Sequence, residues 1–347
     1  MSPEILSKIR PKVTKKIKEL SFIPTESIDL AFKQSQYFFK SFCKDKKGEK
    51  FFFKTRIGNK KVFQKNTTDF TDRNFRNEII FYKFFSKKRE NSLYKDLALR
   101  IPEYVNSGLS NLEWLSYKYV LGETIGNQLE LNPYILKEKN IRPLISTINS
   151  IQGLTLKEIK ENNQKILHFK QYDFGVYDYF YDKKVRILRG SLRNYLNDLD
   201  INEGKQLLRK NRRLLDSSCN RLSHGDLHGK NIIFKKETDQ LFIIDWESIH
   251  FNNQAYDPAF FWFRSWCNKK WRSKFLETYL LSVKDKVKFS RLFRSVVIHR
   301  ALNEIGFWHQ EKEKTKNKEL KDKSLEALKS HTTTFKKALK SEDLFSY

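Results

Sequence analysis

The stretch LSHGDLHGKNIIF, residues 222–234, places His224, Asp226, His228 and Asn231 ahead of an apolar run, and LFIIDWE follows at 241–247. His224, Asp226 and His228 alternate, so on an extended segment they share one face. Imidazole and carboxylate ligands on such a face suit zinc or iron. No HExxH helix, cysteine pair or second histidine cluster is present to complete that shell. Phosphoryl transfer asks for other parts: a carboxylate to orient and deprotonate the attacking hydroxyl, oxygen ligands for magnesium, and a cation on the donor phosphates. Magnesium takes carboxylate and amide oxygens in preference to histidine. Asp226, Asn231 and Asp245 offer those oxygens. A packed turn in which Asp226 caps its own backbone is the third reading.

The elements that must position these residues are legible from periodicity. NIIF and LFIIDW flank the polar KKETDQ and read as a hairpin, which folds Asp245 back toward Asn231. Upstream, SIDLAF, SQYFFKSF and FFFKTRI, with the turn KDKKGEK, predict an antiparallel meander over 27–57. Phe75, Ile79, Tyr82 and Phe85 recur at helical spacing within 71–87, and Asp72 suits the first turn. IPEYVNSG and LEWLSYKYVLG read as two further strands. Beyond Gly122 the pattern turns helical, over about 133–152, 157–168, 190–197, 203–217, 256–267, 271–284, 288–309 and 317–340. The expectation is an α+β chain in two lobes. A basic helix or arm covers 1–22, a strand-rich lobe 23–120, and a helical lobe 121–347 carries the loop 222–234 and the segment 241–247.

The 347 residues, 39% apolar and 14% aromatic, suffice for a large core and exclude a disordered chain. Cys43, Cys219 and Cys267 lie far apart, which argues against a disulfide framework and for a reducing cytoplasm. The basic N-terminus lacks the apolar stretch of a signal peptide, and no run is long enough to cross a bilayer. A net charge of +27 favours weak contact with polyanions or a membrane surface, or reflects compositional bias; no nucleic-acid motif accompanies it. The aromatic and acidic YDFGVYDYFYD at 172–182 would suit a cationic guest or a packed helix, whereas +27 favours an anionic one.

HGDLHGKN followed by IIDWE resembles the catalytic loop and metal-binding segment of the aminoglycoside phosphotransferase and choline kinase family, similar in fold to protein kinases. AYDPAFF at 255–261 resembles its downstream segment, in which an aspartate, here Asp257, braces the loop. The likeness spans about 27–310. It implies a two-lobed protein-kinase-like fold with a small antiparallel-sheet N-lobe and a larger, mainly helical C-lobe. It also implies ATP and Mg2+, and transfer of the γ-phosphoryl group to a hydroxyl of an aminoglycoside-like, amino-alcohol or sugar acceptor. Asp226 would be the catalytic base; Asn231 and Asp245 would ligate magnesium. Lys54, Glu78, Ser35 and Tyr119 would serve the nucleotide, the last through the hinge-like YKYVLGETIG. His228 and Glu247 would support the loop or the acceptor, and His224 would be structural. The turn holding Ser35 has no glycine, and neither GxxxxGK[ST] nor GxGxxG occurs. An inactive nucleotide-binding scaffold and a kinase acting on an anionic sugar or lipid head group are the alternatives. The oligomer expected is a monomer or dimer.

Overall fold

A computed structural model describes residues 3–26, 29–33, 36–58, 75–88, 90–92, 94–109, 112–127, 129–162 and 169–340. Ser35 and Asp72 lie outside the described residues. The chain forms two compact units: residues 1–123 with 233–248, and residues 124–232 with 249–347. The helix α1 (Pro3–Glu19) thus belongs to the first unit, and so does the segment following the loop 222–234.

The first unit is built on a six-stranded antiparallel sheet. Its strands are β1 (Ile23–Pro24), β2 (Asp29–Lys33), β3 (Gln36–Lys44), β4 (Lys50–Gly58), β5 (Tyr104–Gly108) and β6 (Glu113–Lys118), in the order β1-β3-β4-β6-β5 with β2 also on β3. Side chains alternate between faces along a strand. Phe51 and Phe53 of β4 therefore join Phe39, Cys43 and Trp114 on one face, where Val13 and Ile17 of α1 cover them. The intervening residues Lys54 and Arg56 point to the opposite face, toward the helix α2 (Phe75–Ser86). Lys54 pairs in register with Lys40 on one side and Leu115 on the other, which fixes its position along the sheet. The hairpin of β7 (Ile232–Lys235) and β8 (Gln240–Ile243) is tied on by Ile243 N–H donating to Arg100 O at 2.7 Å.

The second unit is helical. Its main helices are α3 (Ile141–Gln152), α4 (Phe174–Ile187), α5 (Asp198–Lys210), α6 (Arg212–Ser218), α7 (Tyr256–Arg264), α8 (Lys269–Leu281), α9 (Lys286–Lys314) and α10 (Lys318–Lys340). Every residue of α7 is buried, so this helix is the unit's axis rather than an amphipathic surface helix. One helical span departs from the sequence reading for a local cause, and one agrees with it. Residues 133–137 are not helical, because the Asn132 side chain accepts from Tyr134 N and sets a turn before Pro143 enters α3. Residues 174–187 are helical, as the packed-helix reading of 172–182 has it, and the helix extends past that stretch to Ile187; Asp173 accepts from Val176 N at 3.2 Å and starts α4. The three cysteines are free. No helix among the described residues is long and apolar enough to cross a membrane.

Candidate active site

In the first unit the sheet, α2 and the end of the β7–β8 hairpin bring three carboxylates onto one lysine. Lys54 Nζ lies 2.9 Å from Glu78 Oε2, 2.7 Å from Asp245 Oδ1 and 2.6 Å from Glu247 Oε1. Arg56, on the same face of β4, pairs with the other oxygen of Glu247. Lys54, Arg56, Glu78 and Glu247 are buried, and the Asp245 side chain is 25% exposed. Three carboxylates thus face two cations. Burial alone would lower the Lys54 ammonium, but Asp245, Glu247 and Glu78 outweigh it and hold the group well above its ordinary value. Burial pushes the Glu78 carboxyl up to about 7, opposed by Lys54 and reinforced by the charges of Asp245 and Glu247.

Glu78 has a second partner. Its Oε1 accepts from the backbone N–H of Trp246 at 3.3 Å, so one side chain on α2 holds both the lysine and the residue after Asp245. The Trp246 ring stacks on Phe81, centroids 4.0 Å apart, one turn along α2. This clamp maintains an uncommon backbone state: Asp245 has φ +65°, a left-handed conformation that costs a non-glycine residue about 1 kcal/mol or more. Carboxylate oxygens of Glu78, Asp245 and Glu247 lie within 4.8 Å of one another, a hard donor set that fits a cation such as magnesium. Asp245 is the partly exposed member of the three; Glu78 and Glu247 are engaged by Lys54 and Arg56. Tyr119 follows β6 and donates its N–H to Lys50 O at 2.9 Å, extending the sheet ladder.

In the second unit the loop 222–234 is held from beneath. Arg221–Ser223 pairs antiparallel with His250–Asn252. Asp257, fully buried in the first turn of α7, accepts from Ser223 Oγ at 2.8 Å and from His224 N at 3.2 Å. Burial raises the Asp257 carboxyl to about 6, against the pull of those hydrogen bonds. Buried His224 accepts the Asp226 N–H on Nδ1 at 3.3 Å, and Gly225 supplies φ +81° for the turn between them. The backbone oxygen of Asp226 accepts from Asn231 Nδ2 and from His228 N, both at 2.9 Å. With its NH2 so engaged, Asn231 turns its carbonyl oxygen elsewhere. His228 Nε2 lies 3.6 Å from Asp226 Oδ2. Gly229 allows close approach: a Cβ there would fall 2.5 Å from Gly126.

The first unit therefore gathers Lys54, Glu78, Asp245 and Glu247, and the second gathers Asp226, His228, Asn231 and Asp257. Arg56 was not singled out in the sequence. Its position two residues after Lys54 on a strand is the signal that places it on the same face.

The profile of the family described as "Phosphotransferase enzyme family" matches residues 50–289. Among solved structures, an amicoumacin kinase in complex with AMP-PNP, Ca2+ and Ami superposes with a TM-score of 0.56 at 12% identity, covering 96% of each chain. The GDP complex of aminoglycoside 2'-phosphotransferase-IIIa gives 0.55 at 13% identity, covering 93% of this chain and 97% of that one. The choline kinase of Streptococcus pneumoniae gives 0.51 at 15% identity, covering 94% and 99%. At these identities the likeness is one of fold. No curated protein matches the chain.

Proposed function

The chain belongs to the phosphotransferase enzyme family, and from that premise we propose that it is an ATP- and magnesium-dependent kinase of a small hydroxyl-bearing molecule. The observation that carries this is the Lys54 cluster: one buried ammonium held by Glu78 and Asp245, with the acids in excess. Such an ammonium is placed to take the phosphates of a nucleotide. Asp226 accepts the proton of the acceptor hydroxyl as its oxygen forms a bond to the γ-phosphorus and the bond to the nucleoside diphosphate breaks. Asp257, Ser223 and His224 act through Asp226 by fixing its loop. Asp245 and Asn231 would be the oxygen donors for magnesium, which when bound would offset the negative charge of the donor phosphates. The nucleotide analogue and Ca2+ bound to the amicoumacin kinase are in keeping with that donor set. Three free cysteines are in keeping with a cytoplasmic location.

The test is transfer from radiolabelled ATP to a panel of aminoglycosides, choline, ethanolamine, homoserine and sugars, with and without magnesium. Wild type transfers label only with magnesium, and Asp226→Asn loses about 10²–10⁴-fold in kcat. A wild type no better than Asp226→Asn on every acceptor would reject the reading in favour of a nucleotide-binding scaffold.

A further inference from the structure

The second unit buries an arginine pair that phosphoryl transfer as described above does not use. Arg264 ends α7 and Arg300 lies midway along α9. Arg264 Nη1 bonds Glu304 Oε2 at 2.6 Å, and Arg300 Nη2 bonds Glu304 Oε1 at 2.8 Å. The two side chains are 10% and 8% exposed, and the Nε of each finds no hydrogen-bond partner among the described residues. Two guanidiniums thus share one carboxylate. Arg300 also stacks over the Phe260 ring at 3.4 Å, a cation–π contact, and donates to the Tyr256 hydroxyl. Beside them the rings of Trp266 and Trp308 meet edge to face at 5.7 Å, and both indole N–H groups also find no partner among the described residues. Buried donors left in this way cost about 1–3 kcal/mol each. Among the described residues this buried cluster therefore has more donors than acceptors, the acceptors being the Glu304 carboxylate and the Tyr256 hydroxyl.

The pair stands in the same unit as Asp226 and is connected to its loop twice. Asp257, which braces that loop, is in the first turn of the helix that Arg264 ends. Leu131 N donates to Arg264 O, and Gly126 of the same segment abuts Gly229. The charge of Asp226 acts on the Arg264 guanidinium. In the acidic stretch 173–182, Asp173 caps α4 and Asp182 binds Lys205 Nζ at 2.6 Å, while Asp178 Oδ1 lies 4.0 Å from the same ammonium with no hydrogen-bond partner among the described residues.

We propose that the acceptor carries an anionic group, a carboxylate or a phosphate, which the Arg264–Arg300 pair receives while a hydroxyl of the same molecule faces Asp226. A planar anion matches the guanidinium fork and completes the donors that Glu304 leaves over. This inference rests on the kinase reading above. Its test is label transfer from ATP by the wild type to charge-matched acceptors: sugar acids and sugar phosphates beside their neutral parent sugars, with aminoglycosides, choline and ethanolamine as cations. The expected result is transfer to a sugar acid or a sugar phosphate with kcat/KM about tenfold or more above its neutral parent; which of the two succeeds identifies the anion. Arg264→Gln and Arg300→Gln raise KM for that acceptor more than they lower kcat, and Arg300→Lys recovers part of the loss. Transfer confined to neutral or cationic acceptors would overturn the inference and leave the kinase intact. Absence of transfer to every acceptor would overturn both. The wild-type panel decides without relying on any variant's folding.

Discussion

Around Lys54 three carboxylates face two cations, whereas around Glu304 two guanidiniums share one carboxylate. Both clusters are buried, and buried charge is tolerated only when it is paired and hydrogen-bonded. These opposite imbalances are what the two proposals above rest on: a cation at the first cluster and an anion at the second. The acid-rich cluster is also pinned through backbone, since Glu78 holds Trp246 N and so the strained Asp245. The base-rich cluster is held by side chains on two helices and by Leu131 N donating to Arg264 O. The lesson is that a surplus of one sign, held rigid before any ligand arrives, marks where a charged ligand is received.

The comparison can be broken from either side. Removing the central partner should hurt most. Lys54→Met leaves buried Glu78 and Glu247 and partly exposed Asp245 beside Arg56 alone, and Glu304→Gln leaves Arg264 and Arg300 facing each other. Urea unfolding should show each losing about 3–5 kcal/mol. A smaller effect is expected where hydrogen bonds rather than charges are lost. Asp257→Asn keeps the shape but presents an NH2 to donors, at a cost of about 1–3 kcal/mol. Because burial raises this carboxyl from 3.8 to about 6 in the folded chain, the folded state holds the proton to higher pH than the unfolded state does. The stability of wild type relative to Asp257→Asn should then fall as pH rises from 3.8 to 6 and level off above. Urea midpoints over that range read the slope, and a flat difference would contradict the assignment. The smallest effect belongs to a half-exposed pair: Lys205→Ala, which frees Asp182, should cost about 0–1 kcal/mol.

Much of this was legible in the sequence because spacing and geometry coincide. Strand periodicity set Lys54 on β4, helical periodicity set Glu78 on α2, and the HGDLHGKN pattern located Asp226 and Asn231. Other parts depend on tertiary pairing that no local pattern encodes. Glu247 read as a loop or acceptor residue, but it is buried against Arg56 and Lys54, a contact set by packing of the hairpin on the sheet. Arg300 and Glu304 stand four apart on a helix, a spacing that signals a surface pair as readily as a buried one, and Arg264 reaches them from a different helix. The short strands Arg221–Ser223 and His250–Asn252 were missed because three residues carry too little periodicity. The stretch 172–182 reads in the sequence as a cation site or a packed helix; residues 174–187 form α4, with Asp173 as its cap and Asp182 on Lys205.

The central claim is that the acid excess around Lys54 receives a hard divalent ion together with the nucleotide, through Asp245. The most direct measurement is Mn2+ binding, followed by electron paramagnetic resonance, in the presence of a non-hydrolysable ATP analogue. Wild type should bind Mn2+ only when the nucleotide analogue is present, and Asp245→Asn should weaken that binding by about tenfold or more. Equal Mn2+ binding by wild type and Asp245→Asn would contradict the claim.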